Sequence, residues 1–328
     1  MELSVAQRVV DFLDRTNELI YARIKSEATS NPFSGQSMAK AIARHLCLTP
    51  NAKRARPLVC LYYHWLFNND IDDVIVPIGV AAEFIHAASL LHDDVVDDAH
   101  KRRGQTSANA LFGNAQAVLA GNFLLTQAFD LLRGMKREFI EQAILVVREM
   151  TISAMLEIES RGKIDVSEDS WYRVAKGKTG ILFSWCGWAA AINSKRELEA
   201  QQLWNLGFRI GNIFQMVDDL KDFSGDGNLK EVANDIRNKE ASMPVLIAVN
   251  KDKNIKQQFQ KKYLKDSLSD DDVSFLTELV LSSDAIFETK ARISKELSQV
   301  QEYLSRHEGS CGYRALDEWI QDLACLSW

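Results

Sequence analysis

Proline is scarce in this chain. Its 328 residues hold five, at Pro32, Pro50, Pro57, Pro77 and Pro244, and none lies between the last two. A proline inside a helix costs about 3 kcal/mol, so such a gap suits long helices. β-branched residues form no alternating runs, which argues against an extensive sheet. Cysteine is equally uninformative as a scaffold. Cys47, Cys60, Cys186, Cys311 and Cys325 are odd in number, scattered and without CxxC spacing. That excludes a disulfide frame or zinc ribbon and reads as reduced thiols. There is no basic tail, and the net charge is −6, which argues against general nucleic-acid binding. The N-terminal MELSVAQRVVDFLDR carries acids early and has no signal-peptide core. No uninterrupted apolar run approaches a membrane span. A cytoplasmic protein is expected.

What is present is an ordinary globular composition, 46% hydrophobic and 26% charged, in a chain long enough for a sizeable core. Apolar residues recur at three-four spacing, as in Val146, Met150, Ile152, Met155 and Leu156. The reading is all-α, a single domain over 1–328. Loops are expected at 29–37, 48–54, 68–73, 101–107, 160–169 and 224–235. Ser167 followed three positions later by Ser170 makes half a capping box. The segment from about 250 onward is charged and helical in pattern and shows no recognisable chemistry.

The chemistry gathers in LLHDDVVDDAHKRRG, Leu90 to Gly104. On a helix over 83–98, Asp93 and Asp97 share a face, as do Asp94 and Asp98. Carboxylates at that spacing repel unless a cation lies between them. A solvated face is the bland account of one such cluster. FQMVDDLKDFSGD, Phe214 to Asp226, repeats the pattern with Asp218, Asp219 and Asp222. Each cluster ends an apolar helical run, so neither looks like a solvated face. Two carboxylate clusters suit a hard divalent cation such as Mg²⁺, which is held by one or two carboxylates plus substrate phosphates. Below Asp93 on the first helix come the small Ser89 and Ala88, then Ile85. A polyanionic head held through metal above a deep apolar cavity describes a prenyl diphosphate.

Basic residues complete the picture. Arg102 and Arg103 follow the first cluster; Lys53, Arg54 and Arg56 precede Pro57; Lys178 and Thr179 lie in AKGKTGILF. Arginine forks and lysine charges grip diphosphates, although each knot alone is more often surface charge. KGKT is not a P-loop, because Tyr172 stands where a glycine is required and no strand precedes it. His86 and His92 read as packed or hydrogen-bonding histidines before metal ligands.

These motifs resemble the trans-isoprenyl diphosphate synthase family. LLHDDVVDDAHKRRG resembles its first aspartate-rich motif with the trailing arginine pair, and FQMVDDLKD the second. AKRARPL is similar to GGKRxRP, KTG to the lysine-threonine motif, and FGNAQAVLAGNFLL to the segment after the first acidic motif. The likeness runs in order over about 40–250 and is to the long-chain polyprenyl synthases. It implies the isoprenoid synthase fold, an all-α bundle of long helices around a central cavity, and a homodimer. It implies head-to-tail condensation of an allylic diphosphate with isopentenyl diphosphate, using three Mg²⁺ ions or Mn²⁺ in their place. By that likeness Asp93, Asp97, Asp218 and Asp222 hold metal, with Asp94 and Asp219 in support. Arg102, Lys178 and Lys230 bind the allylic diphosphate; Lys53, Arg56, His86 and Arg103 bind isopentenyl diphosphate. Thr179 and Gln215, with Lys178, line the reacting carbons. Ala88 and Ser89 stand where bulky residues stop chain growth in the family, with Ile85 and Phe123 further along the pocket. A product longer than geranylgeranyl follows, and such a product brings the protein to a membrane surface.

The chain departs from the family pattern at Asn51-Ala52 for a double glycine, at Asn122 for aspartate, and at Lys239-Glu240, where the lysine is displaced by one. The loop carrying Lys230 is about two residues short. A weak or inactive partner subunit is the non-enzymatic alternative, although both acidic motifs are whole. His92-Asp93 as the dyad of a metal-dependent phosphohydrolase would leave the second motif unexplained. A terpene cyclase would mix Asn, Ser and Glu in its second motif, and a squalene-type synthase would lack KRxRP.

Overall fold

The computed structural model describes residues 4–25, 35–49, 52–102, 104–224 and 233–325. They form α-helices almost throughout, as the pattern predicts. The helices are α1 (Val5–Ile24), α2 (Gly35–Cys47), α3 (Ala55–His64), α4 (Ile75–Val96), α5 (Ala108–Phe112), α6 (Asn114–Arg133), α7 (Arg137–Ser160) and α8 (Glu168–Ala175). They continue as α9 (Ile181–Asn193), α10 (Glu197–Lys221), α11 (Asn234–Arg237), α12 (Met243–Lys251), α13 (Lys253–Tyr263), α14 (Asp270–Leu281), α15 (Ala285–Leu304) and α16 (Cys311–Cys325). A π-helical turn, Lys176–Gly180, joins α8 to α9. The one ladder among the described residues is a hairpin of β1 (Lys101–Arg102) and β2 (Gln105–Thr106), where the sequence suggests a turn. Gly104 supplies its positive φ of 76°.

The chain divides into two compact units. One comprises 1–145, 185–201 and 310–312; the other comprises 146–184, 202–309 and 313–328. In the first, α4 packs against α3 and α6. Ile78, Val80, Phe84, Ile85 and Leu91 of α4 are fully or almost fully buried. Each such side chain contributes roughly 1.5–3 kcal/mol by leaving water. Although Glu83 and His86 interrupt its apolar run, α4 is by length and composition apolar enough to cross a membrane, but 72% of its most apolar window is buried inside the protein. It is a core helix whose polar residues are paired within the fold. Glu83 shows this: it accepts from Arg54 Nη1 at 2.9 Å, and both side chains are buried. Arg54 also donates to Asn17 Oδ1 at 3.0 Å and to the Cys47 carbonyl at 2.5 Å.

In the second unit, local signals set the helix ends. Ser167 accepts from the Ser170 amide at 3.1 Å, the half capping box read from the sequence. Asp252 caps α13, and Ser269 with Asp272 forms a full capping box on α14. The closest helix approach uses glycine. A Cβ on Gly211 would lie 2.2 Å from Gly180 Cα, and one on Gly207 2.3 Å from Ser184 Cα. Those two positions bring α10 against the π turn and the start of α9. Gln215 and Asp219 continue the same four-residue spacing along α10.

Candidate active site

The first acidic motif closes α4. Asp93 is half-buried on its last turn, and the helix ends at Val96 with Asp97 as its C-cap. The Asp97 amide still donates to the Asp93 carbonyl at 2.8 Å, so these two keep the helical spacing the sequence predicts. The pairing of Asp94 with Asp98 is not kept, because Asp98 lies beyond the helix in a left-handed conformation, φ 48°. Asp94 instead turns inward and is 1% exposed. Arg102 donates to Asp94 Oδ1 through Nε at 2.8 Å and again through Nη2. Asn109 holds the Asp94 carbonyl at 3.1 Å. The hairpin is thereby tied to the acidic helix end.

Two further predicted residues meet below this motif. Arg56 on α3 donates from Nη1 to His86 Nε2 at 3.0 Å. A guanidinium has no acceptor, so Nε2 is the acceptor and the imidazole proton sits on Nδ1. Lys53 is exposed. His92 lies over Gly121 of α6, where a Cβ would come within 2.2 Å of its Nε2, and it faces the Val118 carbonyl at 3.2 Å. It is a packed histidine, as expected. Ile85 and Ala88 are buried, whereas Ser89 and Phe123 are half-buried. Asn122 is exposed. Arg103, Lys230 and Asn51 lie outside the described residues.

The second motif sits on a cavity of about 340 Å³ within the second unit. Glu157, Asp218, Asp219, Asp222, Asp235 and Glu240 line it together with Lys178, Lys221 and Gln215. Lys178 donates to Glu157 Oε2 at 2.5 Å. Asp218 is exposed. Asp222 accepts from the amides of Asn234 and Asp235, both at 2.9 Å, and so caps α11. Each of its oxygens retains a lone pair. Thr179 Oγ1 donates to Gln215 Oε1 at 3.1 Å, and Gln215 Nε2 donates to Asp219 Oδ1 at 3.0 Å. Asp219 Oδ2 accepts from Trp171 Nε1 at 3.1 Å and from the Met243 amide at 2.7 Å.

The electrostatics of this wall are lopsided. Burial pushes the Asp219 carboxyl up to about 7, against the pull of its hydrogen bonds. Burial also raises Asp222, and burial with the charges of Asp219, Asp222 and Glu240 raises Asp235 well above the ordinary range. Such a wall favours a cation. The donors are all oxygens, which fits Mg²⁺ rather than a softer metal. Among the described residues no three His, Cys, Asp or Glu side chains gather as a complete metal cage. An ion here would take one or two carboxylates and complete its shell with phosphate and water.

The displaced lysine of the third loop turns away from the cavity. Lys239, φ 57°, donates to the carbonyls of Tyr263 at 3.2 Å, Asp266 at 3.3 Å and also Lys265. Glu240 faces the cavity instead and pairs with Arg161 at 2.8 Å. Sequence reading missed Glu157, Trp171 and Asp235. Asp235 had a signal, lying just beyond the second motif in a turn-rich segment; Trp171 and Glu157 had none.

The all-helical fold and the two acid-rich helix ends, one in each unit, define a protein of the isoprenoid synthase class. The chain belongs to the polyprenyl synthetase family, whose model matches residues 36–280. It is 33% identical over 205 residues to octaprenyl diphosphate synthase of Escherichia coli (strain K12), covering 60% of this chain and 62% of that protein, less than two thirds of its length. It is 32% identical over 257 residues to the octaprenyl diphosphate synthase of Haemophilus influenzae, covering 76% of this chain and 74% of that one. A decaprenyl diphosphate synthase from Rhodobacter capsulatus superimposes with a TM-score of 0.87 at 27% identity, over 98% of this chain and 97% of that one. A polyprenyl synthase from Caulobacter crescentus CB15, complexed with calcium and isoprenyl diphosphate, gives 0.86 at 26% identity over 99% and 98% of the two chains.

Proposed function

We propose that this chain is a trans-polyprenyl diphosphate synthase, its two units acting as one synthase domain. It condenses an allylic diphosphate with isopentenyl diphosphate to a product longer than geranylgeranyl. The observation that carries this reading is the convergence of Lys178, Asp218 and Asp222 on one cavity, with the Thr179–Gln215 hydrogen bond beside it. The names of the relatives support the long product, as does the small Ala88 one turn below the first motif.

In this reading Asp93 and Asp97, with Asp218 and Asp222, would hold Mg²⁺ or Mn²⁺, three ions in all, for the allylic diphosphate. Bound Mg²⁺ supplies charge neutralisation as the allylic C–O bond ionises. Lys178 and Arg102, the latter oriented by Asp94, add positive charge beside that diphosphate, together with Lys230. Lys53, Arg56, His86 and Arg103 orient isopentenyl diphosphate. The C–O electron pair leaves with diphosphate, the isopentenyl double bond forms the new C–C bond, and the released diphosphate takes the proton. The Thr179 and Gln215 oxygens stabilise the developing allylic cation.

The test is incubation of the purified protein with Mg²⁺, labelled isopentenyl diphosphate and farnesyl diphosphate, with dephosphorylated products resolved by length. A ladder past geranylgeranyl is expected. No elongation of any primer by folded protein would overturn the reading. Ala88→Phe should shorten the ladder; an unchanged one would put the floor elsewhere.

A second reading, a weak or inactive partner subunit, draws on Lys239 turned away from the cavity and Glu240 in its place. In that case elongation would appear only after a related subunit is added. A homodimer is part of the main reading. Exposed Leu111, Val118 and Leu119, on α5 and α6, support it as an apolar surface a second copy would cover. A cytoplasmic site, with access to a membrane through the product, is supported by the five free thiols.

A further inference from the structure

Asp219 is the second aspartate of its motif, yet every hydrogen bond it makes runs into its own unit. Its Oδ2 takes two donors, Trp171 Nε1 at 3.1 Å and the Met243 amide at 2.7 Å. Its Oδ1 takes one, Gln215 Nε2 at 3.0 Å. Residue 219 is 4% exposed, and Trp171 is 5% exposed. The carboxylate is therefore held at one end by two N–H groups that can only donate. Its other oxygen faces the Gln215 amide.

A carboxylate oxygen only accepts. Whenever Asp219 is ionised, the Gln215 amide must therefore present Nε2 to it and Oε1 to Thr179, the order its hydrogen bonds show. An amide oxygen also only accepts, so the Thr179 hydroxyl must give its single hydrogen to Gln215. Its lone pairs are then left on the other side. We infer that Trp171, the Met243 amide and Asp219 act together as a positioning device that sets the polarity of the Thr179 hydroxyl. A hydroxyl poled this way turns its negative dipole away from Gln215, which suits a developing carbocation and not an oxyanion. The inference rests on the proposed prenyl transfer for its consequence, but not for the hydrogen-bond order.

The order makes a sharp test, because an acid and an amide can be exchanged. In Asp219→Asn, the two donors at Oδ2 demand the oxygen of the new amide, so its nitrogen faces Gln215. Two NH₂ groups would then oppose each other, and Gln215 must turn over. Its Nε2 then points at Thr179 and forces the hydroxyl hydrogen outward. In Asp219→Asn combined with Gln215→Glu, the introduced amide donates to the introduced carboxylate, and that carboxylate again accepts from Thr179. The original order returns with the total charge unchanged. Trp171→Phe removes one of the two donors and leaves the carboxylate in place.

The first measurement is by nuclear magnetic resonance on the full chain, from nuclear Overhauser contacts of the Gln215 side-chain NH₂. Contacts to the Thr179 methyl should be weak in the native protein and strong in Asp219→Asn. No change in Asp219→Asn overturns the inference, whatever the protein's activity. The second is steady-state condensation. Asp219→Asn should lower kcat by about tenfold to a hundredfold with KM for isopentenyl diphosphate nearly unchanged, the range expected for one lost charge-assisted hydrogen bond. The double variant should be faster than Asp219→Asn alone, and Trp171→Phe should show a smaller kcat effect of the same kind. A double variant no faster than the single one would show that Asp219 acts through metal alone and overturn the inference. A native protein that shows the amide order but never condenses would instead remove the prenyl-transfer reading and leave the hydrogen-bond order standing.

Discussion

The two acidic motifs share a spacing and differ in what surrounds them. In both, the second aspartate is buried: Asp94 at 1% exposure and Asp219 at 4%. Asp94 is met by a guanidinium, Arg102, in a charge-assisted fork. Asp219 is met by an indole, an amide side chain and a backbone amide, all neutral. An ion pair answers the cost of burying a carboxylate directly; neutral donors answer it only in part. That is why the Asp219 carboxyl is pushed up to about 7. Repeated sequence does not imply repeated chemistry. The first motif ties down a hairpin, whereas the second orders a row of hydrogen bonds.

The largest expected effects fall on the outer aspartates, which this comparison treats as alike. Asp93→Ala and Asp218→Ala should each lower turnover about a hundredfold or more, with far-ultraviolet circular dichroism unchanged. Near-native turnover in either would mean that the motif bearing it does not hold metal.

Next comes Asp94→Asn, which should weaken the fold, since it leaves Arg102 without its counter-charge. The loss should be about 1–3 kcal/mol, discounted because Arg102 is partly exposed. Urea unfolding reads it, and equal midpoints for native and variant would remove the tie. Gly211→Ala should cost about 1–3 kcal/mol as well, because its Cβ would press on Gly180 backbone. Turnover should fall with it as Gln215 is carried away from Thr179. A variant of full stability and activity would show that the helices can part without consequence.

The smallest effect is a pH dependence confined to the second motif. A carboxyl raised in the folded state favours the protonated form. The stability associated with it is fully present below its unfolded pKa of about 4 and is lost as pH rises through about 7. Metal-free protein should therefore melt at falling temperature as pH rises between about 5 and 8, and Asp219→Asn should flatten that slope. A slope unaffected by the substitution would assign it to other groups.

Much of this was readable in the chain. The proline gap and three-four spacing foretold helices, and the apolar run ending in Asp93 foretold α4 because burial and helix period there agree. Ser167 announced its half capping box. The likeness of the motifs pointed to the family before any fold was known. What was hidden depended on contacts distant in sequence. Arg54 and Arg56 are two positions apart in one basic knot, but Arg54 is buried on Glu83 and Arg56 faces His86. Trp171 carries no motif, and its role exists only because α8 brings its indole to α10. Asp98 failed to follow the helical pattern because the chain leaves α4 at Val96 and enters a left-handed turn.

The row Gly207, Gly211, Gln215, Asp219 runs along one face of α10. Its first half is bare backbone contact and its second half is hydrogen-bond order. No flexible side chain lies at the bare end to absorb a displacement. Foldedness and turnover are therefore selected on the same strip of surface. Substitutions there cannot trade one property for the other.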